Sequence, residues 1–127
     1  MTIERQRPRD GPAAPVLDVC QMRDRLGDDD ELIADIIRLF LEDCPIRLAA
    51  IEQAIEDRDP DRIRSSAHTL KGSAGNLSAA GVVAAALALE ALGSPADFSV
   101  IDTNFVTLVA EVERLTTALR EFQDGTP

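Results

Sequence analysis

DELIADIIRLFLEDCPIRLAAIEQAIED, residues 30–57, decides the fold class. Leu32, Ile33, Ile36, Ile37, Phe40 and Leu41 recur at helical spacing, and Leu48, Ile51 and Ile55 keep nearly the same phase beyond Pro45. Such a period marks one apolar face of an α-helix. A proline inside a helix removes a backbone hydrogen bond and bends it. Because the phase survives Pro45, the spacing predicts one long kinked helix over 30–57 rather than two separate helices. Asp28-Asp29-Asp30-Glu31 precedes the apolar run, where a helix N-terminus favours negative charge.

Outward from this segment the same period repeats. On the N-terminal side, a short helix is expected over 18–25, stopped by Gly27. On the other side, Asp59-Pro60 supplies an N-cap carboxylate and a proline at the first helical position, opening a helix over 60–76. Ser78 reads as the N-cap of an alanine-rich helix over 79–92, ended by Gly93, with Ser94-Pro95 as the connection. Ile101, Phe105, Leu108, Val112, Leu115, Leu119 and Phe122 then step by four and three through an amphipathic helix over 99–123. The expected architecture is all-α: an antiparallel up-and-down four-helix bundle with a short extra N-terminal helix.

The composition agrees with that class. The chain has 127 residues, suited to one domain with one core. Hydrophobic residues make up 45% but aromatics only 3%, so the apolar content is mostly small aliphatics that pack well between helices. The domain is expected over 16–124, with a disordered N-terminal tail over 1–15 and a C-terminal tail over 125–127. The N-terminal stretch MTIERQRPRDGPAAP has three prolines and little to bury, and its Arg5, Arg7 and Arg9 form the only locally basic segment.

A net charge of −10 and a pI near 4.4 repel phosphate backbones and anionic lipid, which argues against nucleic acid or membrane as the main partner. Proteins offering a basic patch fit better. Cys20 and Cys44 have neither metal-site nor CxxC spacing, and free, partly buried thiols in a reducing cytoplasm are expected. No metal site is expected. The N-terminal stretch has no apolar h-region, and no run of about 18 apolar residues occurs, so a cytoplasmic protein without signal peptide or membrane span is expected.

His68 is the single histidine. On a helical wheel with His68 at zero, Ile63, Ala67, Leu70, Ala74 and Leu77 fall between about 180° and 260° and form the core stripe. His68 therefore points away from the core, with Gly75, Gly72, Lys71 and Arg64 within roughly 60° of it. Each helical glycine costs about 1 kcal/mol relative to alanine. The pair could clear an approach to the imidazole or could mark close packing against a neighbouring helix. Lys71, at i+3, offers a mobile ammonium to anionic oxygens. An exposed imidazole is a competent nucleophile when neutral, and an unperturbed pKa of about 6.5 leaves it mostly neutral in a cytoplasm. With a nearby cation and a cleared approach, it suits phosphoryl transfer, which depends on positioning and charge stabilisation.

SSAHTLKGSAGNLSAAG, residues 65–81, resembles the signature of HPt (histidine-containing phosphotransfer) domains, above all in the run HTLKGSAGNL. ELIADIIRLFLEDCPIRLAAIEQAIEDRD resembles the long second helix of that family, central proline included, and the similarity covers about residues 17–122. The resemblance implies that His68 is phosphorylated, on Nε2, that Lys71 stabilises the phosphoryl group, and that Gly72 admits the partner. It places Gly75 and Ser73 at positions supporting local geometry, and Arg64 borders the same face. It also implies a phosphorelay intermediate of two-component signalling that neither binds ATP nor phosphorylates itself. The chain has no glycine-rich phosphate loop, in keeping with this. The implied partners are receiver domains of response regulators or hybrid kinases, which would bring Mg²⁺, the chain having no cofactor of its own; a monomer fits the family. Two departures stand out. Ser78 occupies a position where many relatives have glycine, and the 79–92 helix is mostly alanine (Ala84, Ala85, Ala86, Ala88, with Gly81), where relatives often carry larger or polar residues.

Overall fold

A computed structural model describes residues 16–125. The predicted tail over 1–15 lies outside the described residues, as do residues 126 and 127 of the predicted C-terminal tail. The described residues form α1 (Val19–Leu26), α2 (Asp30–Glu56), α3 (Pro60–Asn76), α4 (Ala80–Glu90) and α5 (Phe98–Gln123), with no strand among them. Neighbours in sequence pack side by side, α2 on α3, α3 on α4 and α4 on α5, and α5 closes the ring against α2. Short connections make successive helices run antiparallel. The short α1 touches the start of the ring, against α2 and α3, with Met22 fully buried.

Local chemistry explains most boundaries. The carboxylates of Asp18, Asp29, Asp59 and Asp97 accept backbone N–H bonds at the starts of α1, α2, α3 and α5, satisfying amides that have no partner inside the helix. Pro45 lies inside an unbroken α2, whose core face runs through Ile33, Ile37, Phe40 and Cys44 before it and Ile51, Ala54 and Ile55 after it. Two residues expected to be buried or partly buried are exposed. Leu32 lies 41% exposed at the start of α2. Cys20 is exposed on α1, whereas Cys44 is buried, its thiol pushed up to about 11 by burial and then by Asp43.

Ser78 is not the cap of α4. It ends α3: its own N–H donates to the Gly75 carbonyl at 3.0 Å, and the Ala79 N–H donates to the Ala74 carbonyl at 3.1 Å. These two bonds satisfy the last carbonyls of α3 and require a left-handed residue between them, here Ser78 at φ 55°. The cap of α4 is Ala79, which has no side chain to offer. Nor does Gly93 end α4. The helix stops at Glu90 with Ala91 as its cap, and Leu92 folds against the core. The α2–α3 turn repeats the motif with Arg58 at φ 54°, its guanidinium 4.6 Å from the centre of the Phe98 ring.

A non-glycine residue at such a φ carries strain of about 1–2 kcal/mol. Ser78 recovers little of it, since its hydroxyl accepts only a long 3.4 Å bond from Arg25. Ser78→Gly is therefore expected to stabilise the bundle by about 0.5–1 kcal/mol after the extra freedom of the unfolded chain is counted. Thermal unfolding would read this as a rise of a few degrees, and a fall would show that the Arg25 contact outweighs the strain.

Candidate functional site

The bundle places His68 midway along α3. Ile63, Ala67, Leu70 and Ala74 are buried on the opposite side, and the histidine side chain is 67% exposed. The core stripe thus orients the imidazole outward, as the wheel predicts. Gly72 lies exposed one turn onward and Gly75 half-buried two turns onward. A Cβ built on either would meet no atom within 4 Å, so neither glycine serves helix packing. Both leave open space. Gly81 differs: a Cβ there would meet the Glu111 carboxylate of α5, the movable end of a long side chain.

The residue that organises the site is Glu90, the last residue of α4 and 22 positions from His68. Its Oε2 lies 2.6 Å from His68 Nδ1, and its Oε1 lies 2.5 Å from Lys71 Nζ. The Oε1 atom is shielded from solvent and has the ammonium as an ion-pair partner rather than an aligned hydrogen bond. Lys71, and after it His68, hold the Glu90 carboxyl below the usual carboxylate range. An ionised carboxylate only accepts hydrogen bonds, so Nδ1 carries the proton in this contact. In the neutral ring Nε2 then keeps its lone pair for a bond to an incoming atom.

This changes the reading of Lys71. Its ammonium is not loose but half-buried and paired with Glu90, three residues and less than one turn from the imidazole. Arg64 is likewise engaged, in an exposed pair with Asp61 at 2.9 Å. Ser73 does not join the His68 cluster. It lies on the α2 side of α3, in a groove with Ile36, Leu39, Phe40, Asp43 and Asn76. The structure therefore brings His68, Lys71 and Glu90 together, leaves Gly72 and Gly75 as a clear approach, and sets Arg64 and Ser73 at the margin.

Glu90 has no local signature, because it reaches His68 only through the packing of α4 on α3. One signal was available: it is the sole charged residue of an otherwise uncharged helix, AGVVAAALALE. It also sits at the C-terminal end, where the helix dipole disfavours an anion. A carboxylate held there needs a compensating cation, and Lys71 supplies it.

Exposed apolar side chains flank the site. Leu39 of α2 lies beside Ser73 and Asn76, and Leu87 of α4 lies three residues before Glu90. Leu32, Leu39 and Ile46, all exposed, follow one another at seven-residue spacing along one face of α2. A groove of about 850 Å³ lies elsewhere, on α5 around Val106, Ala110 and Thr117, and includes none of the His68 cluster. An exposed nucleophile beside apolar flanks suits contact with another macromolecule's surface more than enclosure of a small molecule. Among the described residues, no group of three or more His, Cys, Asp and Glu side chains has the geometry of a metal site, and no helix is long and apolar enough to cross a membrane.

The Hpt domain family model matches residues 35–124, from within α2 to the end of α5. No curated protein and no solved structure gave a significant match.

Proposed function

The chain belongs to the Hpt domain family, and on that premise we propose that it relays a phosphoryl group between receiver-domain aspartates through His68. Domains of this family are phosphotransfer modules of phosphorelays, without kinase activity, and work with receiver domains. The observation that carries the assignment to His68 is its outward imidazole, 67% exposed, with Nδ1 in contact with Glu90 and no side chain at Gly72 or Gly75 to obstruct it.

The chemistry follows from that geometry. A receiver domain docks over the Gly72 and Gly75 clearing with its phospho-aspartate and Mg²⁺, the metal belonging to the partner. The Nε2 lone pair forms a bond to phosphorus while the acyl P–O bond breaks, and its electrons return to the receiver's carboxylate. Lys71 turns part of its charge from Glu90 to the phosphoryl oxygens. The apolar flanks Leu39 and Leu87 contribute buried area to docking. We place the protein in the cytoplasm as a monomer, with the partner face formed by Arg64, Gly72, Gly75 and their surroundings.

Incubation with a phosphorylated receiver tests this reading. The chain is expected to gain acid-labile phosphate on His68, and to gain none from ATP alone. Receiver binding without phosphate uptake would make it a docking module only, and uptake from ATP alone would make it a kinase core. Lys71→Ala is expected to slow transfer roughly tenfold while receiver affinity changes less than about twofold. An unchanged single-turnover rate would remove Lys71 from the mechanism.

A further inference from the structure

The α5 groove stands apart from the His68 cluster, and the described chain begins in it. All of its lining residues but one belong to α5, and the exception is Val16, the first described residue, which also packs against the core. Residues 1–15 therefore join the bundle at this groove. Its apolar floor is formed by Val106, Ala110 and Ala118, and Val106 is 68% exposed, more than any other large apolar side chain among the described residues. Its edge is acidic. Glu111 is paired with Arg114, whereas Glu113 and Glu121, both exposed, enter no ion pair among the described residues.

We propose that the occupant of this groove is the chain's own segment 1–15, laid along α5 with its arginines against Glu113 and Glu121. The sequence of the segment matches the groove in composition and in spacing. Pro12-Ala13-Ala14-Pro15 leads directly into Val16 and offers small apolar groups to the floor. Pro8, Pro12 and Pro15 favour an extended chain over a helix. Residues two apart in an extended chain point to the same side, which puts Arg5, Arg7 and Arg9 on one edge. From Arg5 to Arg9 such a chain covers about 13 Å. Glu113 and Glu121 lie about 12 Å apart along the helix axis, so two guanidiniums can meet two carboxylates at once. Reach is sufficient too. Val16 back to Arg9 spans about 23 Å when extended, and the groove from Val106 to Glu121 runs about 22 Å. In a chain of net charge −10, this is the only locally basic segment, and it enters beside two unmatched carboxylates. Exposed ion pairs are individually weak, but the covalent tether holds the segment near the groove at a millimolar effective concentration. So seated, it covers Val106 and leaves the His68 face open, since the groove includes none of that cluster.

The full chain carrying a nitroxide at Thr2→Cys, with Cys20→Ser so that Cys44 is the other thiol and is buried, tests the seat by NMR. Amide signals of residues 106–121 are expected to lose most of their intensity at low salt. They should regain it at about 1 M salt, where the screening length falls to about 3 Å. Glu113→Lys combined with Glu121→Lys is expected to abolish the loss, and adding Arg5→Glu, Arg7→Glu and Arg9→Glu to that variant to restore it. Undiminished α5 signals at low salt would overturn the proposal. So would loss centred on Gly72 and Gly75, which would make the segment an arm over the His68 face. Loss in isotope-labelled chain mixed with unlabelled nitroxide-bearing chain would give the groove to a second copy instead. Groove signals untouched by the nitroxide but shifted by an added receiver would give it to the partner.

Discussion

Replacing His68 with Gln is expected to reduce phosphate uptake from a phosphorylated receiver to background while the bundle stays folded. The side chain is 67% exposed and lies across α3 from the buried Ile63, Ala67, Leu70 and Ala74, so its removal opens no cavity. Surface substitutions of this kind usually change stability by no more than about 0.5 kcal/mol. The Gln amide can still donate an N–H to Glu90, and Lys71 continues to hold the carboxylate charged. What disappears is the nucleophile, since an amide nitrogen has no available lone pair at neutral pH. Circular dichroism and thermal unfolding should superimpose on wild type, and radiolabel transfer should separate the two by at least about a thousandfold. Equal labelling of both proteins would move the phosphorylation site off His68.

Gly72→Gln is the second large effect, and it works in opposite directions on stability and transfer. A Cβ at this position meets nothing within 4 Å, so the new side chain fits the free protein without displacing a neighbour. Exchanging a helical glycine for glutamine should stabilise α3 by about 0.5–1 kcal/mol. The same side chain then stands one turn from His68, on the side from which the proposed receiver would approach. Near-attack geometry tolerates little misplacement, and an error of about 1 Å can lower a rate about 100-fold. A rise in melting temperature together with a transfer rate roughly 100-fold lower is therefore expected. Unimpaired transfer would show that the approach path lies elsewhere and that Gly72 has no part in admitting the partner.

How far the site is legible in the sequence differs residue by residue. The bounds of α3, Pro60–Asn76, coincide with the reading because Asp59 and Pro60 act within one turn of chain. The continuity of α2 through Pro45 is legible because the apolar phase on both sides reports a single axis. Ser78 misleads, since a small polar residue between two helices can cap the second or end the first. Leu77 and Ala79 are both fully buried, which forces the chain to reverse at Ser78 and selects the left-handed conformation. The glycines show the same limit. Gly72 and Gly81 look alike in sequence, yet one faces open space and the other faces Glu111.

The sequence by itself determined the helices, their order, and the outward direction of His68, because these depend on periodicity and capping within a few residues. Only the tertiary structure decided how the histidine is held. Glu90 meets His68 and Lys71 because α4 lies against α3 and ends where its last side chain reaches across. That contact joins residues 22 positions apart on separate helices, and no local spacing specifies it. The imidazole's direction is thus a property of α3 alone. Which ring nitrogen meets Glu90, and the pairing of the lysine, are properties of the packed bundle.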